Sequence, residues 1–150
     1  MNTIRKIPVT DILDDSRFSD MVREYASEAK AVEMPDPNPD RGAYRAMDRF
    51  GVLHSFGAYA GGQLVGFICV LISKLPHYGV LVATIESFYV VPESRKGGTA
   101  QRLMAAVEDL AHEQGCACVL VTAPKGGRLA RAMGSMGYRM SHEVFVKEMR

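Results

Sequence analysis

The segment 85–114 constrains the fold of this chain more than any other stretch. An apolar run at 85–91 predicts a strand, and apolar residues then recur at helical spacing over 100–111. Between them lies the turn Arg95-Lys96-Gly97-Gly98-Thr99-Ala100. Two glycines and two cations at the start of a helix predict a phosphate or pyrophosphate site, because backbone N–H groups can approach an anion closely there.

Length and composition predict one domain spanning residues 1–150. Apolar residues make up 47% of the chain, charged residues make up 23%, and the formal net charge is +1. This balance excludes a disordered chain and argues against nucleic-acid binding driven by bulk charge. The three cysteines show no CxxC spacing, and no histidine or cysteine pair has metal-ligand spacing. We therefore expect a reducing, cytoplasmic compartment and no metal site.

No part of the sequence predicts a membrane segment. The first seven residues lack the apolar core of a signal peptide, so we expect none. The stretch 51–73 carries no charged side chain, but Gly61-Gly62 and several polar residues interrupt it. This pattern favours two strands joined by a tight turn over a membrane-spanning helix.

The remaining periodicity predicts an α/β (α+β) fold. Strands are predicted at 3–9, 52–60, 63–74, 80–91, 117–122 and 138–149. Helices are predicted from Ser16 or Ser19 to about Ala31, and at 42–50, 100–114 and 128–136, whereas 10–15 is turn-like and 34–40 is a proline-rich loop. This order predicts a mixed, mostly antiparallel sheet of six to seven strands with a central βαβ unit and helices on both faces.

The pattern Arg95-x-x-Gly98-x-Ala100, placed between that strand and that helix, resembles the signature of the Gcn5-related N-acetyltransferase (GNAT) family. The order of elements is similar along nearly the whole chain, from Thr3 to Met149. A nucleotide-binding Rossmann domain fits worse, because the Gly-x-Gly-x-x-Gly spacing after a first strand is absent. The resemblance implies an acetyl-CoA-dependent transferase.

The resemblance also implies where acetyl-CoA binds. It implies a V-shaped gap between the strands at 85–91 and 117–122, with the pantetheine arm along the first of them. The cofactor-binding residues implied are Phe88, Tyr89 and Val90 on the strand, and Arg95, Lys96, Gly97, Gly98, Thr99 and Ala100 in the turn. The turn would bind through its backbone N–H groups, and the Arg95 and Lys96 side chains would add contacts to phosphate unless they form only a solvated basic turn.

Glu86 is the candidate catalytic base. A carboxylate in the middle of an apolar strand is costly unless it is paired or functional. In the family, an acidic residue at this point of the strand commonly removes the proton of the amine, directly or through water. The alternative is a glutamate that faces solvent or pairs with a cation. The donor to the carbonyl oxygen would be a backbone N–H between Phe88 and Val90.

The sequence departs from the family pattern at the general acid. Many relatives carry a tyrosine four residues before a Gly-aromatic pair, here Gly137-Tyr138, and this chain has Met133 at that position. Ser135, Tyr138 and Tyr78 are the hydroxyls that could replace it. With no nucleophile motif in the sequence, direct transfer is expected rather than an acyl-enzyme.

The acceptor is the least constrained part of the reaction. The loop at 33–40 carries Glu33, Asp36 and Asp40, which would attract a cationic amine or merely keep the loop soluble. A small-molecule amine and a protein amine both remain open, as does a homodimer. The alternative function is a CoA-binding module of the same fold that has lost catalysis.

Overall fold

The structure, a computed structural model, describes residues 2–29 and 33–149 and contains one sheet with helices packed against it. The strands are β1 (Thr3–Ile7), β2 (Leu53–Ala60), β3 (Gln63–Leu75), β4 (Val80–Val90) and β5 (Val119–Leu120). The α-helices are α1 (Val9–Leu13), α2 (Phe18–Ala29), α3 (Arg41–Arg49), α4 (Thr99–Glu113) and α5 (Arg128–Ser135). None of these helices is long and apolar enough to cross a membrane. The predicted helix end at Ala31 lies outside the described residues.

The sheet is mixed, as the sequence predicts. Its order is β1-β2-β3-β4-β5, with antiparallel pairing from β1 to β4 and parallel pairing of β5 with β4. The unit β4-α4-β5 is the predicted βαβ crossover, because parallel neighbours need a connection that returns the chain to the same end of the sheet. The predicted count of six to seven strands is wrong, since the described residues form five.

The two faces of the sheet have different neighbours. Phe56 pairs with Ile68, and Phe56 lies in a groove with residues of α4. Ser55 pairs with Cys69, and Cys69 lines a cavity together with residues of α1, α2 and α3. Since neighbouring residues of a strand point to opposite faces, α4 covers one face and the first three helices cover the other.

Helix α4 supplies the centre of the core on its face. Its apolar residues at helical spacing are buried, as the periodicity predicts: Leu103, Met104, Val107, Leu110 and Ala111. Burying each large aliphatic side chain contributes roughly 1.5–3 kcal/mol, so this stripe fixes the helix against the sheet. The start of α4, and with it the glycine turn, is held in place by this packing.

The C-terminal prediction is wrong. Residues 138–149 form no strand among the described residues, and β5 comprises only two of the six residues predicted at 117–122. Tyr138 is anchored to the fold, since its hydroxyl donates to Glu108 at 2.7 Å. The residues beyond it have the alternation of a strand but no strand ladder to join, because β5 offers an edge of only two residues.

The expected turn at 10–15 is also wrong, because α1 occupies most of it. Pro8 precedes the helix in an extended conformation, with φ −63° and ψ 148°. Val9, Ile12 and Leu13 follow at i, i+3 and i+4, and all three are buried. Five residues are too few for a helix to be stable alone, so burial of this face against the sheet determines the conformation.

Gly66 gives a test of how closely β3 approaches β4 beside the open end of the sheet. A Cβ added there would lie 3.0 Å from the Tyr89 carbonyl oxygen and 3.2 Å from the Val90 Cα. We expect Gly66→Ala to lower the free energy of unfolding by about 1–3 kcal/mol, because backbone atoms cannot yield as side chains do. Urea denaturation measures this change.

Gly134→Ala is the matched control, since a Cβ at Gly134 meets nothing within 4 Å and its φ is not positive. Gly134 lies in the last turn of α5, where alanine should raise the free energy of unfolding by at most about 0.5–1 kcal/mol. A Gly66→Ala protein as stable as the Gly134→Ala protein would contradict the close approach of the two strands.

Candidate active site

Strands β4 and β5 separate soon after they meet. Ala83 and Thr84 pair with Val119 and Leu120, and no further pairing between the two strands follows among the described residues. The outer edge of β4 at 85–90 therefore has no strand beside it, although the Val90 carbonyl oxygen accepts from Arg95. Unpaired backbone N–H and C=O groups in such a gap are available to an extended ligand with amide groups of its own.

The turn after β4 is shaped for an anion. A short 3₁₀ turn, Pro92–Ser94, leads into Gly97 and Gly98, whose φ angles are 89° and 81°. Glycine adopts this left-handed conformation without the steric cost of a side chain. Gly98 is the N-cap of α4, so the first N–H groups of the helix have no intrahelical partner and face the turn. A Cβ at Gly97 would meet nothing within 4 Å, so the space beside the turn is open.

The side chains of this turn are engaged with the protein. The Arg95 guanidinium donates to the Val90 carbonyl oxygen at 2.8 Å and to the Glu28 carboxylate at 2.8 Å. The Thr99 hydroxyl is buried and accepts from the Asn2 side chain at 2.8 Å. Lys96 is exposed. The backbone is thus the part of the turn that is free to bind, and phosphate contacts from Arg95 and Lys96 remain predictions.

A β-bulge in β4 sets the direction of Glu86. Ser87 pairs with Cys69 and Ile85 pairs with Val70, so Glu86 is an extra residue without a cross-strand partner. In a regular strand, Glu86 and Ser87 would point to opposite faces, yet both line the same cavity. The bulge therefore turns the carboxylate toward the helices. Sequence patterns did not reveal it, because the bulge contains neither glycine nor proline.

The cavity lies between β3 and β4 on one side and α1, α2 and α3 on the other, and we call it the helix-side cavity. It has a volume of about 190 Å³. Most of its walls are apolar or aromatic. Glu86 lies at its sheet side and is exposed. The walls include Ile12, Phe18, Val22, Tyr25, Tyr44 and Phe67.

Tyr44 holds the Glu86 carboxylate. Its hydroxyl donates to Glu86 Oε1 at 2.7 Å. Helix α3 positions it, and the Asp40 side chain caps this helix by accepting from the Ala43 N–H at 2.9 Å. Burial, and next the charge of Glu86, raise the pKa of Tyr44, so the phenol stays protonated and acts as a donor. Sequence analysis missed Tyr44, because it lies on a short helix and its contact with Glu86 spans 42 residues of sequence.

Tyr89 is one of the predicted cofactor-binding residues, and its side chain contacts other parts of the protein. Its hydroxyl donates to Glu24 at 2.6 Å, and its ring stacks on Tyr25 at 5.6 Å between centroids. Burial, and next the hydrogen bond to Glu24, raise the pKa of Tyr89 above its ordinary value. Phe88 is half-buried and Val90 is buried on the same strand. The three residues form one end of the open β4 edge.

The proposed replacements for the missing tyrosine do not line the helix-side cavity. Ser135 donates to the Ala132 carbonyl oxygen at 2.7 Å, Tyr138 donates to Glu108, and Tyr78 lies 70% exposed on the β3–β4 turn. Met133 is half-buried on α5. The hydroxyls that do line the cavity include those of Tyr25 and Tyr44.

Cysteine and metal chemistry have little support in this structure. Cys69 lines the cavity, and burial raises the pKa of its thiol to about 11, so it is a neutral wall residue rather than a nucleophile. Within residues 2–29 and 33–149, no group of three or more His, Cys, Asp or Glu side chains is arranged to hold a metal ion.

Together, the open β4 edge, the glycine turn at 95–100 and the Glu86 carboxylate beside an apolar cavity are suited to an extended anionic ligand and to proton transfer beside it. Solved structures with the same fold include a ribosomal-protein-alanine N-acetyltransferase from Brucella melitensis biovar Abortus 2308, with TM-score 0.74 and 20% identity over 100% of both chains. They also include an aminoglycoside acetyltransferase, HMB0005, from an uncultured soil metagenomic sample, with TM-score 0.77 and 17% identity over 100% of this chain and 99% of that one.

A third structure of this fold is aminoglycoside N-acetyltransferase AAC(6')-Iy in complex with CoA, with TM-score 0.72 and 21% identity over 99% of both chains. Comparison with curated protein sequences gives no match. Residues 18–138 match the sequence profile of the Acetyltransferase (GNAT) family. That match includes the glycine turn at 95–100 and the cavity residues of α2, α3, β3 and β4, and the chain belongs to the GNAT acetyltransferase family.

Proposed function

We propose that this protein is an acetyl-CoA-dependent N-acetyltransferase that transfers an acetyl group directly to a primary amine held in the helix-side cavity. The observation that carries the proposal is the position of Glu86. Its carboxylate lines the cavity, and its Cα lies two residues, roughly 7 Å, before Phe88 on the open edge of β4. A base for the amine and a groove for the acyl donor thus occur on the same strand.

The residues around the gap fit acetyl-CoA, which supplies the activated acetyl thioester when it is bound. The left-handed pair Gly97-Gly98 and the N-terminus of α4 present N–H groups suited to a pyrophosphate. The open edge at 85–90 presents backbone groups suited to the amides of the pantetheine arm. One of its N–H groups, between Phe88 and Val90, would donate to the carbonyl oxygen as negative charge develops there.

Glu86 would take the proton that the amine must lose before it can attack. A primary amine is mostly an ammonium ion near neutral pH, and only the neutral form has a free electron pair. Tyr44 donates to Oε1, which leaves Oε2 of the carboxylate for the amine. Because the pKa of Tyr44 is raised, its phenol keeps its proton. Tyr44 therefore orients the Glu86 carboxylate without transferring a proton to it.

The second candidate function is a CoA-binding module without transferase activity, which the methionine at position 133 favours. A tyrosine there would supply a proton to the leaving thiolate in the pattern that this sequence resembles, and Met133 supplies none. Release of free thiol from acetyl-CoA in the presence of a panel of amines separates the two functions. Among proteins with this fold, one is a ribosomal-protein-alanine N-acetyltransferase and another is an aminoglycoside acetyltransferase, so a protein amine and a small-molecule amine are both candidate acceptors here.

A cytoplasmic location is part of this proposal. Cys69, Cys116 and Cys118 are free thiols in the structure. Free thiols in a stable fold are typical of proteins from a reducing compartment.

A charge placed at the N-cap of α4 tests the cofactor site. Gly98→Asp and Gly98→Asn have nearly the same shape, and both residues tolerate the left-handed backbone better than other side chains. Only Asp adds a negative charge beside the expected pyrophosphate. We expect calorimetry to show at least a tenfold weaker CoA affinity for Gly98→Asp than for Gly98→Asn. Equal affinities would place the pyrophosphate elsewhere.

Glu86→Gln tests the base, because it keeps the shape of the side chain and removes its basicity. We expect kcat to fall on the order of a hundredfold or more with an amine that the wild type accepts, while CoA affinity stays within about twofold. Glu113→Gln, at the exposed end of α4, is the control and should keep the wild-type rate. A Glu86→Gln protein with wild-type kcat would remove Glu86 from the mechanism.

We also propose that two copies associate through residues 139–149, which we call the C-terminal arm. Its large apolar side chains are 57–86% exposed: Met140, Val144, Phe145, Val146 and Met149. Three of them are consecutive, so both faces of the arm are apolar, as in strands that are covered on both sides. A stable interface buries roughly 800 Å² per partner, and a symmetric exchange would bury both arms at once.

Phe145→Asp tests this association. Light scattering after size-exclusion chromatography should show a dimer for the wild type and a dimer dissociation constant at least about 100-fold higher for Phe145→Asp. Tyr78→Asp makes the same kind of change at another exposed aromatic residue and should leave the dimer intact. A wild-type protein that is monomeric at all concentrations would contradict the proposal.

A further inference from the structure

The chemistry of the helix-side cavity points to one class of acceptor. We infer that the acceptor is a small molecule with one primary amino group, one positive charge and one apolar group about the size of an aromatic ring. This inference rests on the proposed function, since it assumes that the amine beside Glu86 is the one acetylated. Its grounds are the size, walls and charge of the cavity.

The volume of the cavity limits the size of its occupant. At about 190 Å³ it is slightly larger than the roughly 150 Å³ apolar cavity that is known to bind benzene. One phenyl ring or a branched alkyl group of similar size, joined by a short linker to an amine at Glu86, would fill it. A three-ring sugar would leave most of its surface outside.

The walls favour an apolar and planar group. Phe18 of α2 and Phe67 of β3 both line the cavity, with ring centroids 6.3 Å apart and ring planes at 52°. Ile12 and Val22 add aliphatic surface from α1 and α2. Aromatic rings prefer tilted or offset neighbours at such distances, so a ring of the acceptor could join this cluster. The raised pKa of Cys69 keeps its thiol neutral, and this wall adds no charge.

Charge provides the strongest discrimination. Among the described residues that line the cavity, Glu86 is the one that is Asp, Glu, Lys or Arg. One carboxylate can compensate one ammonium group. A second ammonium in the cavity would lie against apolar walls without a partner, and an unpaired buried charge is strongly unfavourable.

The acidic loop does not provide that partner. Pro37 and Pro39 of the loop at 33–40 line the cavity, whereas Glu33, Asp36 and Asp40 do not. The Asp40 side chain instead accepts from the Ala43 N–H and caps α3. The sequence-based expectation of an acidic rim for a polycationic acceptor therefore receives no support from the walls of this cavity. An aminoglycoside or a polyamine fits it poorly.

Two amines that differ by one charge test the inference directly. Benzylamine and 4-(aminomethyl)benzylamine share a ring and one aminomethyl group, and the second adds another ammonium. With saturating acetyl-CoA, we expect kcat/KM for benzylamine to exceed that for the diamine by at least about 100-fold. Spermidine, kanamycin and a lysine-containing peptide should react more slowly still. A diamine, an aminoglycoside or a peptide with the higher kcat/KM would overturn the inference.

Val22 offers a reciprocal change, because it lines the cavity from α2 and is only half-buried. Val22→Glu adds the missing carboxylate and should shift the ratio of kcat/KM toward the diamine by at least about tenfold. Val22→Thr, which has nearly the same shape, should keep the wild-type ratio. A Val22→Glu protein with an unchanged ratio would show that the second ammonium does not enter this cavity, and would overturn the charge argument.

Binding without turnover separates this inference from the proposed function. In the absence of acetyl-CoA, benzylamine should raise the melting temperature of the protein more than the diamine does at the same concentration. If no amine releases thiol but this order of binding holds, the proposed function fails and the cavity still has the chemistry inferred. If amines are acetylated but the charged ones bind and react better, the function stands and the acceptor class is wrong. If neither amine binds nor reacts, the inference fails as well.

Discussion

The site depends on a row of backbone groups that the sheet itself leaves without partners. Beyond Thr84, β4 continues to Val90 with no β5 residue beside it. Backbone N–H and C=O groups are costly to leave unpaired inside a fold, so a gap of this kind persists only where water or a ligand supplies the missing hydrogen bonds. The helix α4 that starts just beyond this edge adds further N–H groups at Gly98. Both halves of the proposed cofactor site thus arise from interrupted secondary structure.

This dependence on the backbone explains why the fold is similar in proteins of low sequence identity. The structures compared share 17–21% of residues with this chain, yet their TM-scores are 0.72–0.77. Main-chain groups bind a cofactor whatever the side chains are, provided that glycine occurs where the backbone must be left-handed. The helix-side cavity differs in this respect, because side chains determine its size and charge, and these change with the sequence. The fold therefore indicates the donor, and individual residues determine the acceptor.

How much could be predicted from the sequence varies with the kind of signal. The strand, glycine turn and helix at 85–114 were predictable, because a periodic apolar pattern and two glycines are local properties of the chain. The bulge at Glu86 was not, since it results from the register of β4 against β3 and leaves no compositional trace. Tyr44 was missed for a similar reason: it contacts Glu86 across 42 residues of sequence, a tertiary contact that no periodicity encodes. The prediction of a last strand at 138–149 was wrong, because alternation of apolar residues indicates only a tendency to pair, and pairing needs a neighbouring strand edge.

The bulge also couples the two sides of the site. An extra residue in β4 allows Glu86 and Ser87 to face the same cavity while the strand continues, two residues later, along the open edge. Without it, either Glu86 or the following residues would turn to the opposite face, because side chains alternate along a strand. The carboxylate is then held by Tyr44, whose helix is fixed by the Asp40 cap, and the walls around it come from the same group of helices. On the proposed function, a change in α2 or α3 therefore alters which amine fits without moving the backbone proposed to bind the acyl donor.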